Sequence, residues 1–296
     1  MHNYSVDKFD KEDLFLLELE NQERLSALQD KHIVHYRTKT IKSGKVLECE
    51  VYPVWDTRAS LSRCRKIRES REAQKRLNQK NAVKNLVRLV NTNFTDKDIW
   101  GTFTYETSKL PKSVELAQKE MVKFIRRLKY YADTHNFEPL KYVYVTEFED
   151  DEEKGKHRVH HHIVTNFPDR DIAEKLWCNG ARKQTRRLQA DDSGYEGMIR
   201  YILKDPRGTK RYVTSKNLNK PIITVADYKL TRKKVNKIVR GEVSPYNVFE
   251  DMYHDQYKLV DCFSKTSEYV SGAYIYAKMV KRNQKGGRCQ NEIFRE

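Results

Sequence analysis

The sequence predicts an α+β fold in which antiparallel strands are flanked by helices, and three observations predict it. LKYVYVTEF (140–148) and the stretch from His157 to Asn166 are both strand-like. Only a short acidic segment ending near Gly155 separates them, as in a hairpin. Ahead of that pair lies SVELAQKEMVKFIRRLKYY, where Met121, Phe124, Ile125 and Leu128 recur at i, i+3, i+4 and i+7, the period of an amphipathic helix. A further run from Arg58 to Arg88 holds 11 Lys/Arg against two acids, Glu69 and Glu72, with neither Gly nor Pro. It predicts a long helix, solvated and positive in its first half.

The remaining elements follow in chain order. Residues 1 to 30 are acidic and leucine-bearing and read as a short amphipathic helix or a loose arm. The β-branched stretches between Lys31 and Trp55 flank Ser43-Gly44, which predicts a small hairpin. AVKNLVRLV, closing the basic helix, has apolar residues at helical spacing and packs on the body. IWGTFTY (99–105) is a strand, and Ser113, just after Pro111, is an N-cap candidate. A short helix is expected over Asp169 to Trp177. MIRYILK follows Gly194 and Gly197 as a turn or two of helix stopped by Asp205-Pro206. RYVTS is strand-like, and from about Val225 the chain reads as a basic, tyrosine-rich tail. This divides the chain into an N-terminal arm, hairpin and basic helix (1–90), a core (91–220) and a basic C-terminal accessory region (221–296). No internal repeat is present.

Charge narrows the partners. Lys+Arg number 58 against 42 Asp+Glu, a net charge of +16 and a pI near 9.4. Such an excess attracts polyanions, nucleic acid foremost. The five cysteines, Cys49, Cys64, Cys178, Cys262 and Cys289, form no CxxC pair, which argues against a disulfide framework or a cysteine zinc site and fits a reducing cytosol. With neither a signal peptide nor a membrane-length apolar run, a soluble cytoplasmic protein without a membrane partner is expected. No Walker-type phosphate loop is present, so strand separation would fall to a partner.

The chemistry concentrates in RVHHHIV, Arg158 to Val164. On a strand, His160 and His162 leave the same face, and His161 leaves the other. Two neutral imidazoles at that spacing are suited to a divalent cation, and burying imidazoles without partners is costly. Glu147 on the paired strand is the candidate third donor, and Glu149 shares its parity. Two imidazoles and a carboxylate with open positions suit Mg²⁺ or Mn²⁺ acting on phosphate oxygens. The bland alternatives are a solvated strand-end carboxylate at Glu147 and a structural zinc site, although no fourth ligand stands at the usual spacing. Tyr201, with Lys204 on the same helical face, is the candidate nucleophile toward a phosphodiester. An adjacent cation would favour the phenolate. Tyr195 and Tyr212 are its nearest rivals among 18 tyrosines. For nucleic-acid contact the candidates are Arg58, Arg63, Arg65 and Lys66 on the basic helix, and Lys183, Arg186 and Arg187 in KQTRRLQ. Trp177 and Tyr212 are stacking candidates, with core burial the favoured role for Trp177.

The order IWGTFTY, LKYVYVTEF, HRVHHHIV, RYILK resembles the HUH endonucleases, and more narrowly the rolling-circle replication initiator (Rep) proteins of small single-stranded DNA phages and plasmids. GTFTY resembles their first motif, His160-His161-His162 their His-hydrophobic-His motif with a histidine in the middle place, and Tyr201-Ile-Leu-Lys204 their tyrosine motif. The resemblance covers roughly Lys80 to Lys220. It implies a central antiparallel sheet flanked by helices, to which this chain adds basic N- and C-terminal regions. It also implies that Tyr201 attacks single-stranded origin DNA, keeps the 5′ phosphate and releases a 3′ hydroxyl for a polymerase. His160, His162 and Glu147 would hold the metal, and Lys204 would stabilise charge beside it. Relatives often carry a second tyrosine four residues away. Here those positions are Gly197 and Asp205, which implies a one-tyrosine mechanism. The implied partners are the origin strand, flanking duplex or hairpin DNA, and a host helicase and polymerase. The implied compartment is the bacterial host cytoplasm. Two other readings remain open at this point: a one-tyrosine transposase or relaxase of the same superfamily, and a non-catalytic nucleic-acid-binding protein with a structural metal.

Overall fold

In the computed structural model, the described residues are 32–56, 71–151, 156–180, 183–203, 211–267 and 270–282. They form two five-stranded antiparallel sheets with helices against them, in two compact units. Among them no helix is long and apolar enough to cross a membrane.

The unit that carries the histidines contains α1 (Arg71–Asn93), β3 (Ile99–Thr104), α2 (Val114–Thr134), β4 (Tyr142–Asp151), β5 (Lys156–Thr165), α3 (Arg170–Leu176), β6 (Lys183–Arg187), α4 (Glu196–Ile202) and β7 (Val213–Thr214). Its strand order is β6-β3-β5-β4-β7, and each neighbouring pair is antiparallel. The expected hairpin is the β4–β5 pair, with β5 central. Period-two alternation gives this sheet two faces. One face carries Phe103, Tyr144, His161 and Ile163, which pack with Met121, Phe124 and Leu128 of α2 and with Trp177. Ser113 caps α2 as expected, its hydroxyl accepting from the Leu116 amide. The other face carries Val143, Val145 and Val164, covered by Leu86, Val87 and Val90 of α1 and Ile199 and Ile202 of α4. AVKNLVRLV therefore packs on the body as its spacing predicts.

The second unit has a discontinuous chain path. The expected hairpin, β1 (Ile33–Ser43) and β2 (Val46–Trp55), turns at Gly44, whose φ of 58° is a backbone state that glycine adopts without strain. Its strands do not stay a small local unit. They join β8 (Ile222–Asp227), β9 (Tyr257–Thr266) and β10 (Ala273–Lys281) in the order β8-β1-β2-β10-β9. Two helices, α5 (Arg232–Val239) and α6 (Pro245–Met252), complete the unit. Val235, Ile238, Val248 and Phe249 share one buried cluster with Cys49, Val51, Ile275, Ala277 and Met279. The weakly patterned stretch after Val225 is thus half of a folded unit rather than a tail. Its partner strands lie some two hundred residues earlier, with Ile275 opposite Val51.

Candidate active site

The β4–β5 register sets Glu147 directly opposite His160 and Val145 opposite His162. Parity turns Glu147, His160 and His162 to one face. β3 runs along the other side of β5 with Thr102 opposite His162 and Thr104 opposite His160. The Glu147 Oε2 atom lies 3.2 Å from His162 Nε2 and 4.0 Å from His160 Nδ1. His162 is nearly enclosed, while the Glu147 and His160 side chains are 21% and 31% exposed, so the trio opens on one side. The His162 ring is fixed at both nitrogens: Nε2–H donates to Glu147, and Nδ1 accepts from the Thr102 hydroxyl at 3.1 Å. Trp100 stacks beside the same ring at 6.5 Å between centroids, and the Arg186 guanidinium lies 4.1 Å over Trp100.

Tyr201 reaches this place from α4. Its ring meets His162 edge-on at 6.1 Å, yet the residue is 63% exposed, so its hydroxyl is open to a substrate. The start of α4 is held by the end of α1. Asn91 Oδ1 accepts from the Tyr195 amide at 2.9 Å. Gly194 passes so close that an added Cβ would stand 2.5 Å from Asn91 Oδ1, and its φ is 76°. A side chain at 194 would meet both a clash and backbone strain. Near the other end, Gln79 Nε2 donates to the Leu203 carbonyl.

The rival tyrosines have other work. Tyr195 is buried and donates its hydroxyl to Asp96 Oδ1 at 2.9 Å, and burial together with the Asp96 carboxylate pushes its pKa up. Tyr212 is also pushed up by burial and packs at the margin of the α1–α4 core. His161 faces away from the site. Its Nδ1 stands 3.0 Å from Thr146 Oγ1 and its Nε2 2.8 Å from the Tyr105 hydroxyl. Burial, then the neighbouring imidazoles, lower its pKa to about 3, so it is a neutral core histidine. Trp177 is fully buried against it.

β6 divides the KQTRRLQ patch by alternation. Arg186, opposite Trp100, lies on the histidine face. Lys183 and Arg187 lie on the other, and Arg187 donates to the carbonyls of Lys97 and Pro168. Glu149 pairs in register with Arg158, one step beyond Glu147 along the face. Lys204 and the cations Arg58, Arg63, Arg65 and Lys66 lie outside the described residues. Sequence reasoning missed Thr102 and Trp100. Their signal was parity on β3, which turns both toward a strand expected to carry metal-ligating histidines.

Two imidazoles and a carboxylate from adjacent strands suit a hard divalent cation that keeps open positions. Neighbouring ligands on an octahedral ion of that size stand about 3 Å apart, close to the Glu147–His162 separation. His160 stands further off, and among the described residues no three His, Cys, Asp or Glu side chains are drawn into a closed metal cluster. The geometry is that of an open arrangement with a direct Glu147–His162 hydrogen bond.

The order of β3, the β4–β5 hairpin and the tyrosine helix can be set against known families. Residues 98–206 match the family model of the replication-associated protein ORF2. Neither a curated protein nor a solved structure matches the chain. The matched stretch runs from β3 through α4, so it contains Thr102, Glu147, His160, His162 and Tyr201 and none of the second sheet. The match supports a role in replication initiation.

Proposed function

We propose that this protein is a rolling-circle replication initiator that nicks and rejoins single-stranded origin DNA through a 5′-phosphotyrosine. The observation that carries the reading is the placement of Tyr201, exposed and edge-on to His162 at 6.1 Å, beside the Glu147–His160–His162 group. The Tyr201 oxygen attacks the scissile phosphorus, and the bond from phosphorus to the 3′ oxygen breaks. The phenol proton ends on the departing 3′ oxygen, leaving a 3′ hydroxyl as primer and the 5′ phosphate esterified to Tyr201. Attack by a 3′ hydroxyl on that ester reverses the step and joins strands. His160, His162 and Glu147 would hold Mg²⁺ or Mn²⁺, which when bound withdraws charge from the phosphate oxygens. Arg186, facing the same side, provides a cation for the DNA backbone, and Lys204 follows Tyr201 closely enough in sequence to add another. Single tyrosine chemistry is shared with transposases and relaxases, and the family match favours replication.

The test incubates the protein with single-stranded DNA from its own replicon and Mn²⁺, then separates the products on a denaturing gel. A covalent protein–DNA adduct, lost with EDTA and mapped by peptide mass spectrometry to Tyr201, is expected. Cleavage without an adduct would assign the reaction to water and overturn the phosphotyrosine. Tight binding with neither product would leave a nucleic-acid-binding protein with a structural metal as the better reading.

Thr102 is a positioning residue in this scheme because it fixes the His162 ring through Nδ1. Hydrogen-bond partners behind metal-bound histidines typically contribute about 10- to 100-fold in metal affinity or activity. Thr102→Val is therefore expected to raise the Mn²⁺ concentration needed for half-maximal adduct formation by about that factor. Thr102→Ser should restore it. An unchanged metal titration in Thr102→Val would remove the role.

A further inference from the structure

We propose that the second unit carries a separate duplex-DNA surface on α5, built for phosphate contact rather than for base reading or strand cleavage. Between Lys229 and Arg240 the chain has six cations, Lys229, Arg232, Lys233, Lys234, Lys237 and Arg240, and no acid. Helical geometry sorts them. Val235 and Ile238 are buried and Val239 packs partly against the same core, so these three define the inner side of α5. At 100° per residue, Lys233, Lys237 and Arg240 fall within about 60° of one another on the opposite side, along a row about 10 Å long. Lys233 and Arg240 are exposed and Lys237 is half-buried.

Two further observations separate this row from an ordinary solvated face. First, Arg232, Lys233 and Lys234 occupy the first turn, which contains no acidic residue. Cations there oppose the helix macrodipole and repel one another, so the arrangement costs stability in the free protein. A polyanion lying along the helix relieves both. Second, the nearby carboxylates do little to neutralise the row: Asp227 is held by Arg37 and His35, and Glu242 approaches only Arg240, at 3.7 Å.

The absence of aromatic residues from Lys229 to Arg240 selects the partner. Surfaces for single strands combine cations with aromatic rings on which unpaired bases stack. Here the flanking Tyr228 packs against His35, its ring centroid 4.6 Å away, and the row itself offers only charge. Charge on a straight, short helix suits the regular phosphate backbone of duplex DNA. The inference does not depend on nicking: a protein that only binds would use the same surface.

The test uses the full chain with Lys233→Gln, Lys237→Gln and Arg240→Gln combined, and reads fluorescence anisotropy with a short duplex and with a single strand of the same sequence, across a salt series. Each phosphate contact contributes about −0.9 to the slope of log K against log salt for duplex DNA. The triple variant is expected to flatten the duplex slope by about 2 to 3 and to weaken duplex binding at least about tenfold at 0.15 M salt. Single-strand affinity and the melting temperature should be unchanged, and Lys233→Arg with Lys237→Arg should bind duplex like the parent. An unchanged duplex slope would overturn the proposal. So would an equal loss on duplex and single strand, which would mark α5 as a general cationic surface.

Discussion

Tyr201→Phe is expected to abolish the covalent adduct and leave the fold untouched. The substitution removes one oxygen from a residue that is 63% exposed, so the change in stability should stay within about 0.5 kcal/mol. The ring and its edge-on contact with His162 remain. What disappears is the atom that would form the ester, and no neighbouring group replaces it within the described site. Tyr195 is buried against Asp96 and Tyr212 lies in the α1–α4 core margin. Tyr195→Phe supplies the opposite pattern. It leaves the Asp96 carboxylate without one hydrogen bond, which should cost about 1 kcal/mol in urea denaturation, while adduct formation persists. Adduct formation on single-stranded DNA, read beside denaturation midpoints for both variants, checks the pair. If Tyr201→Phe retained the adduct, or Tyr195→Phe lost it at a temperature where it is folded, Tyr201 would not be the nucleophile.

The contrast shows what sequence patterns carry and what they do not. Period-two alternation is local and rigid, so the opposite orientations of His161 and its two neighbours could be read directly from HHH within an apolar run. The short acidic connection made β4 and β5 antiparallel neighbours, and so set Glu147 opposite His160. Periodicity also gave the buried face of α2. Three things were not local. The second sheet closes β2 against β10 across more than two hundred residues, and no pattern in either strand names its partner. The placement of α4 depends on single polar contacts, Asn91 to the Tyr195 amide and Asp96 to the Tyr195 hydroxyl, each spanning about a hundred residues. KQTRRLQ was read as one basic patch because its strand character is masked by charge; once it is a strand, alternation sends Arg186 to the histidines and Arg187 away from them.

Trp177→Ala should be the most damaging single substitution for stability, at about 3–5 kcal/mol. The indole is fully buried, with ring centroids of Phe103, Tyr105, Phe124 and His161 between 5.2 and 5.7 Å away. Its Nε1–H donates to the Thr104 carbonyl at 2.8 Å, so truncation both opens a cavity and orphans an acceptor. Collapse cannot fill the space cheaply, because the chain beyond it already touches β3: an added Cβ on Gly180 would stand 1.9 Å from that same Thr104 oxygen. Trp177→Phe should cost less, since most of the ring volume stays and only the hydrogen bond and the outer ring are lost. Urea denaturation monitored by circular dichroism checks the order. The effect should also extend through the sheet. His161, packed on Trp177, lies between His160 and His162 on β5, so loosening one face frees the strand that aims the other. At temperatures where Trp177→Ala is still folded, adduct formation should therefore fall while single-strand binding through Arg186 is retained. A variant that loses several kcal/mol yet forms adduct at the parental rate would mean that the imidazoles are aimed by Thr102 and Glu147 alone, with no help from the core behind them.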